Sequence, residues 1–337
     1  MKAKPTKAKK KGGRDKWNTT AQFVITCIGS SIGLGNIYKF PYLTQKHGGV
    51  NFIVTYLIAL MTVGIPMLIL ELTLGQKMQK GSAGALRGIT PRLGGIGWAS
   101  SFTAFITALV YVIFLSIACI YLVTNGSQPW AIEWEDRPIG CKTAHTAPTT
   151  GSEIFLYMQI TKYFSPQTCE PFEYGNEEFI FGGELFGAVV IIWLLCFACI
   201  CKGIKGYQWI TVVTVPLPFL LLFACMAYYI PLNNANVAEG EATGSDFYWG
   251  TEGFPLIAPD QYGGIYYDPA AVADKRFSDA VNHAFFSVGV CVGVMYAYGS
   301  FQPIKAPVIR NAFVIAFTDF IFSILAGFVA WSVIGFL

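Results

Sequence analysis

The sequence predicts an all-α integral membrane protein built on an inverted five-helix repeat, with its first and sixth spans broken. Three observations carry that prediction. First, the chain has 337 residues, of which 54% are hydrophobic and 13% charged. An ordinary soluble domain carries about 25% charged residues, so too few remain here to coat one. Second, the apolar residues fall in continuous runs of the ~20 residues that a helix needs to cross hydrocarbon, and not in the alternating ten-residue segments of a membrane β-barrel. Third, two of those runs, five spans apart, are interrupted by glycines. The same composition excludes disordered, collagen-like and nucleic-acid-binding classes.

The elements follow in order. Residues 1–16 hold eight lysines and arginines and no apolar stretch, so they are not a cleavable signal peptide. They read as a cytoplasmic topology signal with weak contact to anionic lipid. Seven apolar runs follow, at roughly 19–45, 52–76, 96–124, 182–201, 207–231, 279–302 and 308–337. Residues 17–231 form the first five-span repeat, with a polar loop at 125–181. A second polar loop occupies 232–278, and 279–337 supply the first two spans of the second repeat. With the N-terminus inside, the cytoplasmic pieces collect 16 of the 23 basic residues, as the positive-inside rule requires. Both polar loops then face outward. Seven of the nine cysteines lie in spans, where they pack as small apolar groups. Cys141 and Cys169 lie in the outer 125–181 loop, on an oxidising side where they can pair with each other.

The two interrupted spans carry the chemistry. The first reads CIGSSIGLGNIYKFPY and the sixth HAFFSVGVCVGVMYAYGS. Each interior glycine weakens a helix by ~1 kcal/mol relative to alanine. In one span, close packing through small residues would account for that, as Gly29-x-x-x-Gly33 suggests. Two such spans, five apart, instead match the paired discontinuous helices of secondary transporters. Unwound backbone is tolerated in a bilayer where it lines a cavity. There, freed carbonyls can hold a cation and half-helix N-termini an anionic group.

These residues also carry a family resemblance. RDKWNTTAQFVITCIGSSIGLGNIYKFPYLTQKHGG, VGIPMLILELTLGQ, GALRGITPRLGGIGWAS, FFSVGVCVGVMYAYGSFQPIKAPVIRNAF and SILAGFVAW resemble the neurotransmitter:sodium symporter family, in its order and spacing. The resemblance runs from about Arg14 to Leu337 and is weak in the outer loops. It implies one sodium held by the carbonyl of Ser31, Asn36, Ser287 and Asp319. A second would be held by the carbonyls of Gly29 and Ile32 together with an eighth span. It implies a substrate carboxylate at the Leu34 and Gly35 amides and the Tyr111 hydroxyl, and a pocket shaped by Gly33, Thr107, Phe286, Gly289 and Val292. Arg14 and Lys39 would belong to the inner and outer gates. A chloride would sit among Tyr56, His283, Ser287, Asp319 and Ser323. Glycine at 33, where amine-transporting members carry aspartate, implies a zwitterionic substrate that brings its own carboxylate.

The sequence departs from the family pattern at several points. Lys39 stands where arginine is usual, Val292 where phenylalanine is common, Asp319 where asparagine is usual, and His283 where glutamine is usual. The outer loop lacks the first cysteine of the family's usual pair, so Cys141 with Cys169 is the substitute pairing. The family continues beyond the seventh span, and residues 1–337 alone are therefore expected not to transport. The expectation is a plasma-membrane symporter, coupled to sodium and with chloride as a candidate second ion, that imports a neutral amino acid. Its partners are lipid and substrate, with no nucleic acid. The alternatives are a non-transporting fragment of such a protein or a seven-span receptor. A receptor would place its N-terminus outside, against the basic-residue count. No enzyme is expected, because His283 and Ser287, one turn apart, lack an oxyanion motif and a second catalytic span.

Overall fold

The computed structural model describes residues 16–127, 154–162, 182–235, 248–249 and 269–336. Arg14, Cys141 and Cys169 lie outside the described residues. In chain order the helices are α1 (Thr20–Ser31), α2 (Phe40–Lys46), α3 (Val50–Ala59), α4 (Ile65–Met78), α5 (Ser82–Arg87), α6 (Gly94–Thr124), α7 (Gly183–Ile200), α8 (Gly203–Thr214), α9 (Pro216–Ala235), α10 (Pro269–Val288), α11 (Val294–Gly299) and α12 (Val308–Phe336). Among the described residues there is no strand. The chain divides into two compact units, Met1–Ala104 with Lys202–Leu337, and Phe105–Cys201.

In the larger unit, α1 begins at Thr19, whose hydroxyl accepts the Gln22 N–H at 3.1 Å, satisfying one of the free amides of a helix start. The π-helical turn Gly35–Lys39 leads into α2, and the two halves of this first span are bent by 51°. A second π-helical turn, Leu60–Gly64, joins α3 to α4 in one 29-residue span, Val50–Met78. The core gathers Phe23, Phe40, Phe52, Tyr56, Leu60 and Leu68 with Ala280, Ala284, Ala312 and Ala316. The alanine pairs are four residues apart on α10 and α12, so each pair shares a face and lets backbones approach. Gly75 and Gly299 do the same reciprocally. A side chain at Gly75 would strike the Tyr296 backbone, and one at Gly299 would come within 2.6 Å of the Leu72 carbonyl oxygen. Tyr248 lies over Gly327 and donates its hydroxyl to the Ile324 carbonyl at 3.0 Å.

In the smaller unit, Ile120, Phe155, Ile160 and Ala188 pack together, with the Tyr121 and Phe155 rings edge-on at 5.2 Å. Large apolar side chains are exposed in each unit, such as Phe102, Leu220 and Ile309 in the larger and Phe105, Phe114 and Leu194 in the smaller. Water would not tolerate such a surface, but hydrocarbon does.

Three boundaries differ from the sequence reading. The helix of span six begins at Pro269, ten residues before the expected 279. Its first turns, PAAVADKRFS, are amphipathic, so a search for continuous apolarity passes over them. Span five is two helices that meet at Val215–Pro216, since proline supplies no N–H to continue the first. Among the described residues, five helices are long and apolar enough to cross a bilayer, or six with the bent first span, against seven runs in the sequence. The break in span six divides its apolar stretch between α10 and the six-residue α11.

Candidate ion and substrate site

The site begins where α1 stops. Ile32 is extended at φ −77° and ψ 114°, and its N–H closes on the Ile28 carbonyl. The last carbonyls of α1, those of Gly29 and Ser31 among them, thus lack a following helical turn to bond. Gly29 and Gly35 are set by close approach. A Cβ at Gly29 would collide with the Val215 side chain, and one at Gly35 would come within 3.0 Å of the Phe286 ring. The chain resumes helically at Gly35, and the next residue, Asn36, donates its N–H to the Gly33 carbonyl at 3.1 Å while its side-chain oxygen accepts the Gly33 N–H at 3.1 Å.

The second break lies in span six. Between α10 and α11, Gly289, Cys291 and Gly293 take φ of 71°, 69° and 80°. That left-handed region is open to glycine and uncommon for cysteine. Glu71, on α4, meets this break. Its Oε1 accepts the Cys291 N–H at 2.6 Å, while Oε2 is buried without a hydrogen-bond partner.

Between the two breaks is a fully buried polar cluster. The Asn36 amide nitrogen donates toward Asp319 Oδ1 at 2.8 Å, Ser323 Oγ at 2.8 Å and Ser287 Oγ at 3.1 Å. Ser287 donates to Asp319 Oδ2 at 2.6 Å, and the Tyr56 hydroxyl to the same oxygen at 3.3 Å. Ser323 donates to the Asp319 carbonyl. The Asp319 carboxylate therefore faces three donors from three helices, the arrangement a buried charge needs. An amide nitrogen has two hydrogens but faces three oxygens here, so it cannot serve all three at once. Oxygens that converge in this way suit a hard cation. Ser31 Oγ donates to the Cys27 carbonyl at 3.0 Å and lies 3.5 Å from the Val288 carbonyl, bridging the ends of α1 and α10. The His283 ring lies 5.0 Å from that of Tyr56 and 5.3 Å from that of Phe40, with both nitrogens buried and unpartnered. Lys39 Nζ stands 5.1 Å over the Phe286 ring.

The structure thus brings together Asn36, Tyr56, Ser287, Asp319 and Ser323, with His283 beside Tyr56, Gly33 on Asn36, and Gly35 on Phe286. Asn36 turns its nitrogen toward Ser287 and Asp319. Gly29, Ile32 and Leu34 line the first break, and Gly289 and Val292 the second. Thr107 and Tyr111 lie on α6 in the smaller unit. The sequence reading missed Glu71 as a site residue. Its signal was present, a carboxylate inside the apolar run LILELTL, since an ionisable group at that depth is costly unless used. It also missed Trp17, which donates its backbone N–H to the Phe301 carbonyl at 3.2 Å and its indole N–H to the Tyr298 carbonyl at 3.0 Å.

Comparison with known proteins gives a consistent set. The model of the sodium:neurotransmitter symporter family matches residues 14–252 and 267–337. The sodium- and chloride-dependent GABA transporter 2 of Mus musculus is 29% identical over 330 residues, covering 96% of this chain and 51% of that protein. The sodium-dependent neutral amino acid transporter B(0)AT2 of Rattus norvegicus is 27% identical over 323 residues, covering 96% and 41%. The chain thus spans about half the length of the curated relatives it matches, or less. Among solved structures, MhsT in complex with L-phenylalanine superposes with a TM-score of 0.68 at 22% identity, over 94% of this chain and 60% of that one. That likeness is one of fold.

Proposed function

Since the chain belongs to the sodium:neurotransmitter symporter family, we propose that it acts as a sodium-coupled symporter for a neutral amino acid or related zwitterion, by alternating access. The observation that carries this is the buried Asn36–Ser287–Asp319–Ser323 cluster, which joins both helix breaks to α12. In this reading, the breaks belong to an inverted five-helix repeat in the plasma membrane with its N-terminus inside. The Ser31 carbonyl, Asn36, Ser287 and the Asp319 carboxylate receive one sodium. Gly29 and Ile32 contribute carbonyls to a second. The substrate carboxylate lies at the Leu34 and Gly35 amides, where the positive end of the resumed helix faces it. Gly33 leaves room for that carboxylate, and Phe286, Gly289 and Val292 bound its side chain. Lys39 serves the outer gate and Arg14 the inner one. The GABA and neutral amino acid carriers among its relatives support this substrate class.

The test is uptake of a labelled panel, containing neutral amino acids, GABA and amines without a carboxylate, with sodium present or replaced by choline. Sodium-dependent uptake of a carboxylate-bearing zwitterion is expected. Equal uptake in both buffers, or a preference for the amines, refutes the reading.

A further inference from the structure

The sequence reading packs the span cysteines as small apolar groups, and at the end of span four two of them do not pack. In the smaller unit, α7 (Gly183–Ile200) has Ala188 as its one buried residue, so lipid meets the helix on nearly every side. Its last turns read LLCFACIC, with three cysteines within six residues. All three are free thiols; Cys196 and Cys201 are exposed and Cys199 is half-buried. Cys201 caps the helix, its N–H donating to the Phe197 carbonyl at 2.8 Å and its Sγ to the Ala198 carbonyl at 3.1 Å. Phe197 and Ile200 beside it are exposed, and so is the next residue in the chain, Lys202. The 18 residues of α7 rise ~27 Å, just short of a ~30 Å hydrocarbon core. The end of the helix therefore falls at the edge of the hydrocarbon, with Cys201 at that edge and Cys196 about 7 Å deeper.

We propose that Cys201 is an S-acylation site, which takes a long-chain fatty acyl group from an acyl-coenzyme A thioester. An accessible thiol beside the membrane edge is the setting in which reversible S-acylation occurs. The step is a thioester exchange. Cys201 Sγ bonds to the acyl carbonyl carbon, the bond from that carbon to the coenzyme A sulfur breaks, and the cysteine's proton ends on the departing coenzyme A thiol. No oxidant or reductant takes part. Cys201 gives up a weak S–H bond to the Ala198 carbonyl. A lysine at this surface attracts anionic groups, and Lys202 offers its charge to the phosphates of the donor. Cys196 lies too deep in hydrocarbon for a donor whose reactive end is tied to a charged carrier, and Cys199 is partly covered. Once attached, the acyl chain has exposed Phe197 and Ile200 to lie along. It adds hydrocarbon at the end of a helix that is slightly short for the bilayer, and so holds that end at its depth.

The placement of Cys201 on the cytoplasmic side, where the acyl donor is found, rests on the proposed topology with the N-terminus inside. The experiment uses the full-length protein in cells fed an alkynyl fatty acid. Free thiols are blocked, hydroxylamine then opens thioesters, and each released thiol takes a polyethylene-glycol maleimide that shifts the band by one step. Wild type should carry the alkynyl label and a hydroxylamine-dependent step. Cys201→Ser and Cys201→Ala should each lose one step, whereas Cys196→Ser and Cys199→Ser should keep the wild-type number. A wild type without any hydroxylamine-dependent step overturns the proposal, as does an unchanged number of steps in both Cys201 variants. Loss of the step in Cys196→Ser or Cys199→Ser, with Cys201→Ser unaffected, overturns the choice of residue. Sidedness is read separately, by adding Lys202→Cys to Cys201→Ser and applying a membrane-impermeant maleimide. Labelling specific to position 202 should need permeabilised cells. Labelling in intact cells would remove the topology reading, and the count of steps would still decide whether Cys201 is acylated.

Discussion

On the proposed reading, replacing Asp319 by asparagine should shift sodium-driven uptake from a weak toward a strong chloride requirement while leaving the fold nearly as stable. The carboxylate receives hydrogen bonds from Asn36 at 2.8 Å, Ser287 at 2.6 Å and, more weakly, Tyr56 at 3.3 Å. An asparagine oxygen still accepts from Asn36, and its nitrogen can donate to Ser287 or Tyr56, whose hydroxyls rotate to accept. Two good charge-assisted bonds become neutral ones, at about 1 kcal/mol each. Against that, a charge that costs ~2.5–3.5 kcal/mol at mid-membrane is removed. The two terms nearly cancel, so the melting temperature should move little. The ion balance should move much more. A sodium near the carboxylate gains about 4 kcal/mol at 4 Å in an effective dielectric of 20, part of which an amide dipole replaces. A net loss of roughly 2 kcal/mol weakens sodium about thirtyfold, and a chloride beside Tyr56, His283, Ser287 and Ser323 becomes the substitute negative charge. The assay is uptake against sodium concentration in the full-length protein, with chloride or gluconate as anion. A wild type as dependent on chloride as Asp319→Asn, or an unchanged sodium half-saturation, would refute the fixed-charge reasoning.

Three further outcomes are expected. Gly33→Asp should abolish zwitterion uptake, because a fixed carboxylate would oppose the substrate's own at a cost of several kcal/mol; unchanged binding would show the substrate lies elsewhere. Glu71→Ala should lower stability by about 1–3 kcal/mol by stranding the Cys291 N–H, and Glu71→Gln, which keeps an acceptor, should restore most of it. Equal melting temperatures for the two variants would disprove the cap. Cys291→Gly should raise stability by up to about 1 kcal/mol, since glycine carries no Cβ into the left-handed conformation at φ 69°, and a lowered melting temperature would show that the thiol's packing outweighs the backbone term.

Much of this was legible in the sequence because the relevant signals are local. A glycine cluster within an apolar run marks a break whatever surrounds it, so both breaks could be placed to within a few residues. Asn36, Ser287 and Asp319 were reached through the family resemblance, and each is also a polar group at a depth where polarity is costly. The same logic should have nominated Glu71, but a family motif that contained it drew attention to the pattern rather than to the charge. What the sequence could not supply was direction. Nothing local says that Asn36 turns its oxygen to Gly33 and its nitrogen to the acids and hydroxyls. That choice is made by the Gly33 N–H, freed where α1 stops. Nor could apolarity find the start of span six, because α10 reaches ten residues beyond the expected boundary through a charged amphipathic segment. Asp279, the first residue of the expected span, stands opposite His47. The residues that tie spans to one another thus lie where the membrane signal fades, and tertiary geometry was needed to find them.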